Sequence, residues 1–257
     1  ACQTAEYAAG RSDSSKKNEV KGMERIEEIL DGVKTMGIGG HVRPDGDCVG
    51  SCMALYLYMK TWYPEIKTDI YLEKPKPVFG HITGLSEAHY EAGEPKKYDL
   101  FVTCDVSALD RLAVARDYFA NAKKTVCIDH HVSNMGFADI NHVRGEISSA
   151  SEVLYNLLDK EKINLEIATA LYTGIIHDTG VFQYSSTSPD TMRIAGALME
   201  KGVDFSNIID ESFYQKSYIQ NQVMGRVLAE SIMLLDGKCI VGYMKMRDMD
   251  FYGVQPT

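Results

Sequence analysis

Six side chains suited to holding divalent cations recur along the chain. His41-Val42-Arg43-Pro44-Asp45-Gly46-Asp47 supplies one imidazole and two carboxylates within seven residues. Carboxylates one residue apart on a loop can diverge toward two neighbouring cations, and Gly46 lends the backbone freedom to do so. Asp105 follows an apolar run, Asp129-His130-His131 follows another, and His177-Asp178 closes the apolar segment from Ile167 to Ile176. His41, Asp45, Asp47, Asp105, His130 and Asp178 together give four carboxylates and two imidazoles. An oxygen and nitrogen set without thiolate suits Mn²⁺, or related Mg²⁺, Fe²⁺ or Co²⁺, more than structural zinc. Two divalent ions would cancel four negative charges, and a pair about 3.5–4 Å apart clamps the attacking and leaving oxygens of a phosphoryl centre. Taken singly, each group has a plainer reading. Asp is common at helix caps, so Asp45 and Asp47 are equally readable as an acidic capping turn and Asp105 as a cap. An acid at a helix C-terminus works against the helix dipole, which points to another use for Asp178.

The elements that position these residues alternate. Helical spacing predicts helices over 24–34, 50–62, 111–121, 149–162, 166–177, 190–201 and about 205–233. Apolar runs predict strands over 36–42, 68–73, 99–104, 124–128, 137–143 and 237–245. Strands nearly continuous in apolar residues imply a parallel sheet covered on both faces, an α/β fold. Three of them end in Asp or His, at the carboxyl edge where such sheets bind ligands. Gly50-Ser51 is expected to open the first long helix, where its N-terminus could receive an anion.

Composition narrows the function. The 257 residues carry 27 Lys+Arg against 36 Asp+Glu, a net charge of −9. With no basic run, a grip on long nucleic acid is not expected. No stretch of 18 uncharged apolar residues is present, so no membrane span is expected. Six cysteines without framework spacing (Cys2, Cys48, Cys52, Cys104, Cys127 and Cys239) read as reduced, mostly buried thiols of a cytoplasmic protein. Residues 1–22 lack an apolar signal core and are expected to be a flexible leader or extension.

The residues and their order resemble the DHH phosphoesterases: HxxxDxD at His41, Asp45 and Asp47, then Asp105, then the DHH triplet, then Asp178. HVRPDGDCVGS, DHHVSN, SSASEVLYNLL and LYTGIIHDTGVFQYSST are most similar to the bacterial nanoRNase, pAp phosphatase and cyclic-di-AMP phosphodiesterase group. That resemblance implies a DHH catalytic domain over 23–203, a linker helix over 204–236 and, over 237–257, the beginning of an incomplete DHHA1-like domain. The glycine-rich GGGH substrate segment of such a domain has no counterpart in these residues. It also implies hydrolysis of short oligonucleotides, pAp or cyclic dinucleotides with two divalent cations, Mn²⁺ first. His41 and Asp45 would hold one cation; Asp47, His130 and Asp178 would hold the other, with Asp105 bridging. His131 corresponds to an active-site histidine beside the leaving group, and Asp129 to a group orienting a ligand imidazole. Arg43 stands where Asn is commoner; it is the candidate phosphate contact, with a solvated arginine the equal alternative.

Two other readings stay open: hydrolysis of pyrophosphate or polyphosphate on the same frame, and a nucleotide-sensing module without turnover. The expected partners are a short nucleotide and no membrane, with a second copy of the chain the candidate protein partner. Tyr214, Tyr218 and Met224 could cover an apolar seam or such a partner. His81, His89 and His142 read as surface or core histidines.

Overall fold

The computed structural model describes residues 23–254 apart from Pro95 and Ala113, so the expected leader over 1–22 lies outside the described residues. A five-stranded sheet organises the chain: β1 (Thr35–Gly39), β2 (Lys67–Tyr71), β3 (Leu100–Cys104), β4 (Thr125–Asp129) and β5 (Ile140–Val143). The order is β2-β1-β3-β4-β5 and every pairing is parallel. The chain runs from β1 outward to β2, then crosses back to place β3 on the other side of β1. The order therefore reverses between β1 and β3, and the crevice beyond their carboxyl ends is where open α/β sheets bind ligands. His41 follows β1 and Asp105 follows β3.

Around the sheet lie α1 (Gly46–Trp62), α2 (Arg116–Ala120), α3 (Ala150–Leu157), α4 (Leu165–Asp178) and α5 (Pro189–Glu200). Every residue of α1 from Gly46 to Met59 is buried, as expected of a helix apolar on all sides and enclosed on all sides. It crosses α4 at backbone distance. A Cβ on Gly50 would stand 2.5 Å from the Ala170 carbonyl and 2.8 Å from the Gly174 amide. The close crossing brings the ends of both helices, with Asp47 and Asp178, to the same cleft.

Several elements differ from expectation. The predicted helix over 24–34 is one 3-10 turn, Ile26–Ile29, because Gly32 turns the chain at φ 72° to feed β1. The first long helix starts at Gly46, not Gly50: the Asp45 carboxylate accepts the amides of Asp47 and Cys48 at 3.1 Å and caps it there. Gly50 is thus a packing glycine inside the helix, and the expected anion site at Gly50-Ser51 is withdrawn. The helix predicted over 111–121 shortens to α2, preceded by a 3-10 turn at Leu109–Arg111.

A second compact unit begins at Ser206. The linker helix expected over 204–236 is not one helix. It comprises α6 (Phe205–Ile209), a π turn over Asp210–Tyr214 and α7 (Tyr218–Ala229), then β6 (Ile232–Leu234). Ser217 restarts the helix by a capping box with Gln220, which interrupts the apolar periodicity on which the single helix rested. β6 pairs antiparallel with β7 (Cys239–Val241), and α8 (Met246–Tyr252) follows. The boundary expected at 236/237 therefore falls inside a hairpin, whose turn holds Leu235, Asp236 and Gly237 at positive φ. Among the described residues, no helix is long and apolar enough to cross a membrane.

Candidate metal centre

All six expected ligands meet at the β1/β3 crevice. His41 Nε2 lies 3.3 Å from Asp105 Oδ2 and 3.6 Å from Asp45 Oδ2. His130 Nε2 lies 3.0 Å from Asp178 Oδ2, 3.5 Å from Asp105 Oδ1 and 3.9 Å from Asp47 Oδ2. Asp105 thus faces His41 with Oδ2 and His130 with Oδ1, which also lies 3.5 Å from His131 Nδ1, and it stands between two groups of donors. One is His41 with Asp45; the other is Asp47, His130 and Asp178, whose ligand atoms lie within 4.8 Å of one another.

Each ligand is placed by a different local device. Asp105 ends β3 at φ 58°, a left-handed conformation that Asp tolerates better than most residues. Its amide still bonds to the Ile128 carbonyl at 3.0 Å, extending the ladder to β4. Asp45 serves twice: one oxygen caps α1 while the other faces His41. The capping and ligand readings of this residue are compatible. Asp47, fully buried, accepts the Ala150 amide at 2.6 Å and the Ser151 amide at 2.9 Å, so the N-terminus of α3 docks on it. Asp178 is the last residue of α4. The chain leaves it through Gly180, Val181 and Phe182, all at φ between 54° and 65°. That conformation costs a β-branched or aromatic residue roughly 1–2 kcal/mol. It is held by Val181 N–H donating to Ile176 O at 2.8 Å and Phe182 N–H donating to Thr179 Oγ1 at 3.1 Å.

Charge is crowded in this cleft. Burial, with the neighbouring charges of Asp105 and Asp178, pushes the Asp47 carboxyl well above its usual range. Burial likewise raises Asp178. The histidines respond in the opposite sense. Burial disfavours the charged form of His130, but the carboxylates of Asp105 and Asp178 beside it outweigh that and lift the imidazole to about 11. Asp105 and Asp45 do the same for His41, again against burial. Although local desolvation opposes it, His41 and the amides at the helix start hold Asp45 at about 2.

Divalent cations fit this donor set. Asp105 Oδ1 is buried without a hydrogen-bond partner, an expensive condition for a carboxylate oxygen unless a cation satisfies it. Four carboxylates converge on two imidazoles, and Lewis-acid ions of hard or borderline character bind such mixtures.

Asp129 and His131 form an adjoining pair. His131 Nδ1 donates to Asp129 Oδ1 at 2.8 Å, and Asp129 is fully buried. The imidazole that Asp129 orients is that of His131, which stands with Asp105 and His130 in a further group of possible ligands. Hydrogen bonding to Asp129 raises His131. Asp129 stays below the carboxylate range despite its burial, because His131 and Asn134 bond to it. Arg43 is exposed at φ 52°, its amide donating to Glu73 Oε2 at 2.6 Å, and its guanidinium is not part of the cluster.

Three contributors escaped the sequence reading. Asn134 Nδ2 donates to Asp129 Oδ2 at 2.6 Å and to Val106 O at 3.1 Å, tying the DHH turn to the loop after β3. The α3 amides anchor Asp47 across about a hundred residues, a distance no local motif reports. Cys48 Sγ lies with His41 and Asp105 in a third donor group. The sequence signal for the first was the Asn that closes the DHHVSN stretch.

Residues 35–175 match the family described as DHH family, N-terminal domain. The chain belongs to the DHH family. It is 31% identical over 181 residues to the bifunctional oligoribonuclease and PAP phosphatase NrnA of Bacillus subtilis (strain 168), covering 68% of this chain and 56% of that one. It is 28% identical over 227 residues to the protein of the same name from Thermus thermophilus, covering 86% and 67%. The chain thus spans between about half and two thirds of the length of these relatives. Its fold is similar to that of an exopolyphosphatase-related protein from Bacteroides fragilis (TM-score 0.79, 22% identity, 89% and 71% covered).

Proposed function

We propose that this DHH-family chain carries a two-cation centre that hydrolyses phosphate esters of short nucleotides, with Mn²⁺ the first candidate ion and the cytoplasm its setting. The observation that carries the reading is the meeting of His41, Asp45, Asp47, Asp105, His130 and Asp178 in one cleft, with Asp105 facing both imidazoles. His41 and Asp45 would hold one cation and Asp47, His130 and Asp178 the other, with Asp105 placed to serve both. When bound, the cations supply Lewis acidity to a phosphoryl oxygen and to the attacking water.

The protein's own groups do the rest. Asp129 fixes the Nδ1–H of His131, which leaves Nε2 for a hydrogen bond to a leaving or non-bridging oxygen. His131 is partly exposed, as a group that meets substrate must be. The names of the bacterial relatives support oligoribonucleotides and PAP as substrates. The net charge of −9 favours a short ligand over a long strand. Arg43 is retained only as a rim residue that a substrate phosphate could reach. A second copy of the chain remains the protein partner to look for.

The test is product analysis with diribonucleotide, pAp, cyclic di-AMP and pyrophosphate, with Mn²⁺ and with EDTA. Mn²⁺-dependent release of mononucleotide or phosphate from the nucleotides is expected. Preferential turnover of pyrophosphate would replace the substrate class, and binding without turnover would replace the enzyme by a sensing module.

A further inference from the structure

The two cation positions differ in one donor. Around Asp47, His130 and Asp178 the candidate atoms are oxygen and nitrogen only. Around His41 a sulfur joins them: Cys48 Sγ, a His41 ring nitrogen and an Asp105 carboxylate oxygen lie within 4.8 Å of one another. All three residues are more than nine-tenths buried. The sulfur is aligned as an acceptor, since the His41 amide donates to it at 3.2 Å. Asp105, the partner on the other side, turns its Oδ2 to His41 Nε2 at 3.3 Å. Donors about 2.0–2.3 Å from one ion stand no more than about 4.6 Å apart, so small side-chain adjustments let one cation reach all three.

We propose that Cys48 Sγ is a ligand of the His41 position, which makes that position selective for a thiophilic divalent ion of the Zn²⁺, Co²⁺ or Fe²⁺ class. The His130 position keeps the harder donors that suit Mn²⁺ or Mg²⁺. The centre is then chemically asymmetric, and its two positions fill with different ions when several are offered. Binding exchanges the thiol proton for the cation, and the proton leaves to solvent. The inference rests on the reading of the cleft as a metal centre, but not on any substrate.

Cobalt separates the two claims. The full chain, stripped with chelator and kept reduced, is titrated with Co²⁺ and followed by absorption. Ligand-field bands in the visible report occupancy of the cleft by any donor set. A sulfur-to-cobalt charge-transfer band in the near ultraviolet reports the thiolate alone. The wild-type chain is expected to show both, the charge-transfer band saturating with one of two equivalents. Cys48→Ser and Cys48→Ala are expected to lose that band while keeping the visible bands and to bind Zn²⁺ at least about 10-fold more weakly at one position. Cys52→Ser is the control, because Cys52 Sγ faces the Cys104 carbonyl at 4.0 Å; it keeps the band. Visible bands without the charge-transfer band in the wild type, or a band that survives Cys48→Ser, would overturn the sulfur ligand and leave the metal centre standing. No cobalt absorption at all would overturn both.

Discussion

Asp45 and Asp47 are two residues apart yet live in opposite surroundings. Asp45 has a side chain 58% exposed, held by amides of its own turn; Asp47 has none of its side chain exposed and is held by amides 103 and 104 positions away. The contrast runs through the whole cleft. The His41 half is a local structure, one strand end and one helix start within eight residues of sequence. The His130 half is assembled from three distant segments: the start of α1, the end of β4 and the end of α4. A motif can specify the first by spacing alone, whereas the second exists only once α3 and α4 have packed on α1.

Asp105 belongs to both halves, so its loss should give the largest effect. Asp105→Ala is expected to release both cations and reduce ester hydrolysis to the level seen with chelator. If one cation is retained at wild-type affinity, measured by equilibrium dialysis, the residue is not shared.

The next contrast is energetic. Asp47→Ala strands two buried amides at the start of α3, each worth about 1–3 kcal/mol, so a loss of about 2–6 kcal/mol in unfolding free energy is expected. Asp45→Ala removes a cap and an exposed carboxylate beside His41 and should cost about 0.5–2 kcal/mol. Denaturant unfolding of both variants in chelator decides the matter, and equal costs would erase the distinction between a local and an assembled half. His41→Ala and His130→Ala should then each lose one cation with the fold intact, and different ones. Competition between Mn²⁺ and Zn²⁺ in the two variants reads this out, and an identical residual preference would contradict two separate positions.

The smallest effect concerns the pair beside the cations. Asn134→Ala leaves Asp129 with His131 but unties it from the loop after β3. Hydrolysis of esters with poor leaving groups should fall roughly 10-fold, in the range of outer hydrogen-bond partners at metal sites. p-Nitrophenyl esters, which need little help from an acid, should change less. A uniform loss across leaving groups would assign Asn134 to folding rather than to positioning His131.

The sheet and the meeting of the six candidate residues were largely legible because both rest on local signals: apolar strands, and acids or histidines placed directly after them. Helix extents were less so. The capping geometry of Asp45 moves the start of α1 four residues earlier than Gly50 suggested. Ser217 divides a stretch whose apolar periodicity alone reads as one helix. Asn134 and Cys48 acquire their roles from contacts across the sheet and the turn, and a cysteine in an apolar context looks the same in sequence whether it fills space or faces a cation.

The central claim is that one cleft holds two cations through a shared Asp105 and uses them on a nucleotide ester. The most direct measurement counts Mn²⁺ per chain at saturation by dialysis and elemental analysis, in wild type and Asp105→Ala. Release of mononucleotide from a diribonucleotide is followed on the same samples. Two ions per wild-type chain are predicted, with fewer than one in the variant, and hydrolysis that appears only when both positions are filled. One ion or none in the folded wild-type chain, or hydrolysis that persists after the ions are removed, would contradict it.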